Sequence, residues 1–231
     1  MAVNTITQAW RIIRKLVVFL FVLHIFLLIL YKWINPPITI TQLSNLIGGH
    51  GLKRDYVDYQ QISVHAKLAV IASEDQLFAE HNGFDFISIE KAIKHNEKHP
   101  NRVRGASTIS QQVAKNVFLW QGGSWFRKGL EVYFTFMIEL LYSKQRILEL
   151  YLNVAEMGEG IFGIESASRA YFNKSASKLS EAEAAKIAAC LPNPKLYKVK
   201  PMGKWVARRF PWIMRQMNQL EGDPEIQSVL K

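Results

Sequence analysis

Three short segments carry the residue types that chemistry needs. The first runs from Glu74 through Asp75, Phe78, Glu80, His81, Asn82 and Gly83 to Asp85, directly after a strongly apolar stretch. A carboxylate at the end of an apolar helix can sit half-buried on a cleft wall, where desolvation raises its pKa and makes it a better base. The same pattern fits a solvated turn in which Asp75 or Asp85 caps a helix. The second segment spans 105–116. Gly105, Ser107 and Thr108 at a helix start present free N–H groups, a natural anion site. Gln111 and Lys115 are four apart and share a helix face, so Lys115 can reach an anion that the cap also touches. An ordinary capped surface helix has the same signature. The third segment is Arg127-Lys128-Gly129-Leu130-Glu131. On a helical wheel Glu131 falls at the edge of the Leu130, Phe134 and Ile138 stripe, neither in the core nor fully exposed, where a cleft-lining carboxylate belongs. The alternative is an i,i+4 ion pair of Arg127 with Glu131, contributing a few tenths of a kcal/mol.

These segments need helices to position them. Residues 63–73 read as an apolar helix running into Glu74. A second helix is expected over 87–98, stopping before His99-Pro100. Thr108 and Gln111 have capping-box spacing, which predicts a helix over 109–118. Gly122-Gly123-Ser124 then breaks the chain, and a helix over 126–142 follows, with Leu130, Phe134, Met137, Ile138 and Leu141 on one stripe. Ser143 caps a helix over 144–153, Ser180 and Glu183 open another that ends before Pro192-Asn193-Pro194, and a last helix covers 204–220. Period-two alternation is scarce, and no repeat or low-complexity segment is present, so the fold class is mainly α.

Residues 1–37 contain no Asp or Glu. Arg11, Arg14 and Lys15 precede an apolar run over 16–31 interrupted only by His24, and Trp33 and Ile34 flank its far side. At about 18 residues this is the short end of a bilayer span. No small-residue cleavage site follows, which argues against a removed signal peptide. An all-round apolar helix with a basic front and an aromatic exit fits a buried core helix poorly. The expected organisation is a cytoplasmic basic tail over 1–15, a transmembrane signal-anchor over 16–34, a linker leading into the domain over 35–60, a catalytic domain over 61–220 and a C-terminal tail over 221–231. The positive-inside rule puts the N-terminus in the cytoplasm and the domain outside. The 231 residues carry 29 Lys+Arg against 19 Asp+Glu, a net charge of +10. The 49% hydrophobic content excludes a disordered chain, and the single cysteine, Cys190, excludes a disulfide scaffold and a Cys-based zinc site.

None of the three segments is specific alone; in this order they are. Glu74-Asp75-x-x-Phe78-x-x-His81-x-Gly83, Gly105-x-Ser107-Thr108-Ile109-x-Gln111-Gln112-x-x-Lys115-Asn116 and Arg127-Lys128-x-x-Glu131 resemble the first three motifs of the peptidoglycan glycosyltransferases (family 51). Ser143-Lys144-x-x-Ile147-Leu148-Glu149-x-Tyr151-Leu152-Asn153 and Leu191-Pro192-Asn193-Pro194 resemble the fourth and fifth. The resemblance runs from about Gln61 to Asn218. With one anchor and no room for a transpeptidase domain, the chain resembles the monofunctional biosynthetic branch. Ser88-x-x-Lys91 and Ser175-x-x-Lys178 lack a following K-T-G and are read as surface residues.

The resemblance implies a lysozyme-like domain that polymerises lipid II into glycan strands, inverts the anomeric centre and releases undecaprenyl diphosphate. It implies Glu74 as the general base, with Glu131 as a second carboxylate whose role stays open. It implies Lys115, Arg127 and Lys128 at the donor diphosphate, with Ser107, Thr108, Gln111, Gln112 and Asn116 holding phosphate and sugar groups. Asp75, Phe78, His81 and Gly83 would shape the first motif. No metal site is implied firmly; a divalent cation, Mg or Mn, at the diphosphate is left open. Lipid II, the growing lipid-linked strand, membrane lipids and other cell-wall synthesis or division proteins are the implied partners, in the bacterial inner membrane with the domain periplasmic. The basic, tryptophan-containing stretch 186–220 suits anionic head groups, and an extracytoplasmic location argues against nucleic acid. A lysozyme-like hydrolase would lack a reason for Lys115, Arg127 and Lys128, and a non-catalytic scaffold would tolerate Glu74→Gln.

Overall fold

A computed structural model describes the backbone of residues 2–231 and the side chains of 7–231. The chain divides into two units, Met1–Pro36 and Pro37–Lys231. The first is a single helix, α1 (Ala2–Leu30), within which Thr7–Leu30 is long and apolar enough to cross a membrane, with mean hydropathy 2.6. Twenty-four residues of helix reach about 36 Å against a hydrocarbon layer of about 30 Å. The boundaries differ from the expected ones. Arg11, Arg14 and Lys15 lie inside the helix, because Lys and Arg are good helix formers and nothing breaks the chain before them. Trp33 and Ile34 lie past its end, in the turn that leads to Asn35-Pro36-Pro37. His24 turns its Nδ1 to the Leu20 carbonyl at 3.3 Å, a bond within the helix.

The second unit is mainly helical. Its helices are α2 (Ile40–Ile47), α3 (Val64–Glu74), α4 (Phe86–Lys98), α5 (Ile109–Phe118), α6 (Trp125–Leu141), α7 (Lys144–Val154), α8 (Ile164–Phe172), α9 (Glu181–Ala188), α10 (Lys204–Leu220) and α11 (Pro224–Leu230). Three short strands form one sheet in the order β1 (Lys53–Arg54), β3 (Ile161–Phe162), β2 (Glu156–Gly158). The β1–β3 pair is parallel, with Lys53 opposite Ile161, and β2–β3 is antiparallel and bulged.

α3 is the central helix. Residues 66–72 are all buried, which is why its sequence is apolar on every side rather than amphipathic. α9 and α10 pack against it, and α5 packs on α6 and α7. Caps read from sequence are made: Thr108 Oγ1 accepts from Gln111 N at 3.2 Å while Gln111 Oε1 accepts from Thr108 N at 3.0 Å.

Two stretches outside the expected domain are part of it. The stretch 35–60, read as linker and domain entry, holds α2, opened by a Thr39/Gln42 capping box and packed against α5. The C-terminal stretch 221–231, read as tail, holds α11, with Asp223 capping it, Pro224 at its first turn, and Ile226, Val229 and Leu230 buried. Its last carbonyls find partners on the core: Tyr59 donates its hydroxyl to Val229 O, and Lys67 Nζ donates to Leu230 O at 3.3 Å. Lys67 is buried in mid-α3 and sits 3.6 Å from the Tyr59 ring centre, and desolvation lowers its pKa.

Candidate active site

α3 ends where its buried face meets the first polar segment. Asp75 is the C-cap residue, and its carboxylate is spent on the fold: Oδ2 accepts from Ile109 N at 2.9 Å and Oδ1 from His81 Nε2 at 2.8 Å. Gly83 N donates to His81 Nδ1 at 3.1 Å, so the proton on the neutral ring belongs on Nε2, facing Asp75. Phe78 is fully buried beneath Lys144, whose Nζ lies 4.7 Å from the ring centre and donates to His81 O at 2.5 Å. Thr108 Oγ1 donates to Gly83 O at 2.7 Å. Asp75, Phe78, His81 and Gly83 therefore form a knot that ties the end of α3 to the start of α5. Asp85 caps α4 through Ser88 N at 2.8 Å.

That knot leaves Glu74 with a different task. Its carboxylate is half-buried and opens on a cavity of about 350 Å³ that also reaches Ser107. Oε2 accepts from Gln112 Nε2 at 2.8 Å and Oε1 from Ser73 Oγ at 3.3 Å. Desolvation raises its pKa, and these hydrogen bonds only partly offset the rise. Gln112 is itself held by Tyr151 of α7, whose hydroxyl donates to Gln112 Oε1 at 3.3 Å. A chain of Tyr151, Gln112 and Glu74 thus runs from the core to the cleft.

The cations lie next door. A second cavity, of about 130 Å³, is lined by Ser107, Gln111, Gln112, Lys115, Arg127, Lys128 and Glu131. A third, of about 530 Å³, shares Gln112 and Lys115 with it and extends past Asn116 to Asn45 of α2, Tyr151, Glu156 and Leu191-Pro192-Asn193-Pro194. Ser107 lines both the first cavity and the second, so the three cavities are neighbours. Ser124 caps α6 by accepting from Arg127 N at 3.2 Å, which places Arg127 in the first turn. Lys115 is half-buried; desolvation lowers its pKa, the Glu131 carboxylate opposes that, and the Arg127 and Lys128 cations reinforce it. Glu74 also acts on Lys115, so this carboxylate and the cations share one electrostatic environment.

Glu131 is not the half-exposed edge residue its wheel position suggested. It is 3% exposed and ion-paired to Arg127 Nη1 at 2.7 Å and to Lys128 Nζ. α6 packs on α5 and α7, and this covers the edge of its stripe that an isolated helix would leave open. Thr108 and Gln111 have their side-chain oxygens engaged in the cap, while Ser107 is exposed at the junction of two cavities. Asn116 Oδ1 accepts from Gln121 Nε2 at 3.3 Å. Among the described residues no group of three or more His, Cys, Asp or Glu could hold a metal ion. With Glu131 paired on both oxygens, a divalent ion here would take most of its ligands from a bound substrate. Two residues that bear on Glu74 are not among those the motifs single out: Tyr151, which reaches it through Gln112 and lies within the fourth motif, and Arg209 of α10, signalled only by the basic character of 186–220.

A desolvated carboxylate beside clustered cations suits proton abstraction next to a departing anionic group. Comparison with known proteins points the same way. A sequence model of the family described as "Transglycosylase" matches residues 40–218, which includes α2. Proteins named biosynthetic peptidoglycan transglycosylase from Shigella boydii serotype 4 (strain Sb227) and Escherichia coli (strain K12 / DH10B) are each 58% identical over 173 residues. The alignments cover 75% of this chain and 72% of each relative. With the five motifs, the cleft and these matches in agreement, the chain belongs to the transglycosylase family, the glycosyltransferases that build peptidoglycan strands.

Proposed function

We propose that Glu74 is the general base of glycan polymerisation from lipid II, and that Lys115, Arg127 and Lys128 receive the diphosphate of the donor. The acceptor 4-hydroxyl gives its proton to Glu74 as its oxygen attacks the donor anomeric carbon. The bond from that carbon to the phosphate oxygen breaks with its electron pair on undecaprenyl diphosphate, and the α centre becomes β. The reaction follows inverting logic, with a sugar hydroxyl in the place of water. Diphosphate is a good leaving group, so the main demand on the protein is to stabilise charge building on phosphate oxygens. Fixed cations in a partly desolvated cleft can contribute several kcal/mol to that. Glu131 orients Arg127 and Lys128.

The observation that carries this reading is the hydrogen bond from Gln112 to the half-buried Glu74 carboxylate, since Gln112 also lines the cavity that holds Lys115, Arg127 and Lys128; burial raises the Glu74 pKa. The buried Nε of Arg127 lacks a hydrogen-bond partner within the described protein, and a phosphate oxygen would supply one. The test is a gel assay of glycan strands made from lipid II by the purified full-length protein. Glu74→Gln is expected to abolish product with the fold intact, and Lys115→Ala to impair it severely. Near-normal strands from Glu74→Gln would remove the base assignment; retained activity in Lys115→Ala would place the diphosphate elsewhere.

The substrate is lipid-linked, and we propose that the domain works at the periplasmic face of the inner membrane, with α1 as a signal-anchor whose basic N-terminal part stays cytoplasmic. Support comes from an apolar surface beside the cation cluster. Within 117–126, Val117 and Leu119 are buried, but Trp120, Trp125 and Phe126 are exposed, Trp125 by 92%. The outer face of α6 continues this patch through Val132, Phe136 and Leu140. Exposed aromatic and aliphatic groups of this kind favour the head-group layer.

A further inference from the structure

α2 is built inside out. Its buried residues are polar: Thr41, Gln42 and Asn45, together with the cap residue Thr39. Its exposed large side chains are aliphatic: Ile40, Leu43, Leu46 and Ile47, the last by 78%. Positions 40, 43 and 47 recur at helical spacing and form one stripe, with 46 beside it. A helix that faces water on one side has the opposite arrangement, with its apolar stripe on the core. The domain holds the polar face through specific bonds. Gln42 Nε2 donates to the Tyr56 hydroxyl at 3.1 Å, and Asn45 Nδ2 donates to Glu156 Oε1 at 2.9 Å. Lys195 Nζ donates to Asn45 Oδ1 at 2.8 Å, and Gln121 Nε2 donates to Thr41 Oγ1 at 2.9 Å. These bonds come from four separate segments of the chain, and they fix the aliphatic stripe outward.

We propose that α2 is a membrane-docking helix: Ile40, Leu43, Leu46 and Ile47 enter the boundary between head groups and acyl chains, while the opposite face walls the cavity of about 530 Å³. This rests on the membrane-surface reading given above. Three observations favour lipid over a protein as the occupant of the stripe. Residues 33–52 contain no Asp, Glu, Lys or Arg, so covering the stripe with lipid desolvates no such charge. Residues 31–39, which join α1 to α2, reach only about 30 Å when extended, so an anchored chain begins its domain close to the bilayer. The bond from Gln121 to Thr41 fixes α2 beside the stretch that exposes Trp120, Trp125 and Phe126, side chains suited to the same layer. The arrangement also serves a lipid-linked substrate. Thr41, Ser44 and Asn45 line the same cavity as Lys115 and Asn116. An interfacial helix buries its apolar face about 5–10 Å into the head-group and acyl boundary, so α2 brings that cavity to the level where the phosphate and sugar groups of such a substrate lie.

The experiment attaches an environment-sensitive fluorophore to single cysteines in the full-length protein, reconstituted in vesicles of phosphatidylethanolamine and phosphatidylglycerol. The labelled variants are Leu43→Cys, Ile47→Cys, Trp125→Cys and, as a reference on the exposed polar surface, Ser177→Cys. Cys190 is buried and its thiol donates to Met157 O at 3.2 Å, so the unaltered chain serves as the unlabelled blank. Each site is quenched in turn by lipid spin-labelled near the glycerol end of its acyl chain and by aqueous iodide. Positions 43 and 47 are expected to emit further to the blue than 177, to be quenched by the spin-labelled lipid at least about twofold more strongly, and to be shielded from iodide. Lipid quenching at 125 with positions 43 and 47 no different from 177 sinks the role of α2 and leaves the membrane-surface reading standing. No excess over 177 at any of the three sites sinks both. Shielding of 43 and 47 from iodide and from lipid alike would mean that a protein surface covers α2, and it overturns the inference.

Discussion

Replacing Glu131 by Gln separates a structural from a chemical role for the second carboxylate. The Arg127 side chain is 10% exposed, that of Glu131 4% and that of Lys128 42%. Glu131 therefore neutralises one buried and one half-exposed cation. A Gln amide can accept from one of them but turns its NH₂ toward the other. Removing one partner of a buried pair costs about 3–5 kcal/mol, because the remaining charge stays desolvated. For a domain of this size about 1 kcal/mol corresponds to roughly 2–4 °C, so thermal unfolding followed by helical circular dichroism should fall by between about 6 and 20 °C. Replacing both buried partners, Arg127→Met with Glu131→Met, should recover much of that loss, since apolar side chains carry no desolvation cost, while polymerisation stays impaired without Arg127. Lys128→Ala should cost under about 1 kcal/mol, because its ammonium is largely solvated. If Glu131→Gln melted within about 2 °C of the parent and yet lost activity, the orienting role would be wrong and Glu131 would have to act on the substrate directly.

Gly83 sits at φ +89°, and a Cβ there would lie 2.7 Å from Thr135 Cγ2 and 2.9 Å from Glu139 Cγ; Gly83→Ala should destabilise by about 1–3 kcal/mol in thermal unfolding and displace the Thr108 cap. The folded Glu74 pKa lies above its unfolded value, so this carboxyl favours folding below the unfolded pKa and loses that contribution as pH rises through the folded pKa. Glu74→Gln should consequently be more stable than the parent at neutral pH and not below pH ~4, and equal melting curves at both pH values would contradict the shift. Deleting residues 221–231 exposes the surface under Ile226, Val229 and Leu230 and strips Lys67 and Tyr59 of their partners on α11; the loss, on the order of 5 kcal/mol, should appear as insoluble or protease-sensitive protein.

The helices that carry the site were legible because local rules govern them. Thr108/Gln111 is a capping box in sequence and in space, and Gly122-Gly123-Ser124 breaks the chain where α6 begins. Short elements were not legible. α2 and α11 have eight and seven residues, too few for a convincing period, and their stability comes from packing on α5, α3 and α7. The Thr39/Gln42 signal was present but followed Pro36-Pro37, which read as linker.

By itself the sequence determined the helical class, the apolar helix near the N-terminus, and the order of acid, cation and carboxylate segments along the chain. Each follows from residue type and spacing within a few turns. Tertiary structure alone decided which groups face one another. It turned Asp75 inward to bind α5 and left Glu74 on the cleft. It buried Glu131 between two cations, it set Tyr151 of α7 on the Gln112 that holds Glu74, and it brought the charge of Arg209 to bear on Glu74 from a helix far away in sequence. Burial and charge at Glu74 are sums over neighbours on five segments of the chain, and no local pattern encodes such a sum.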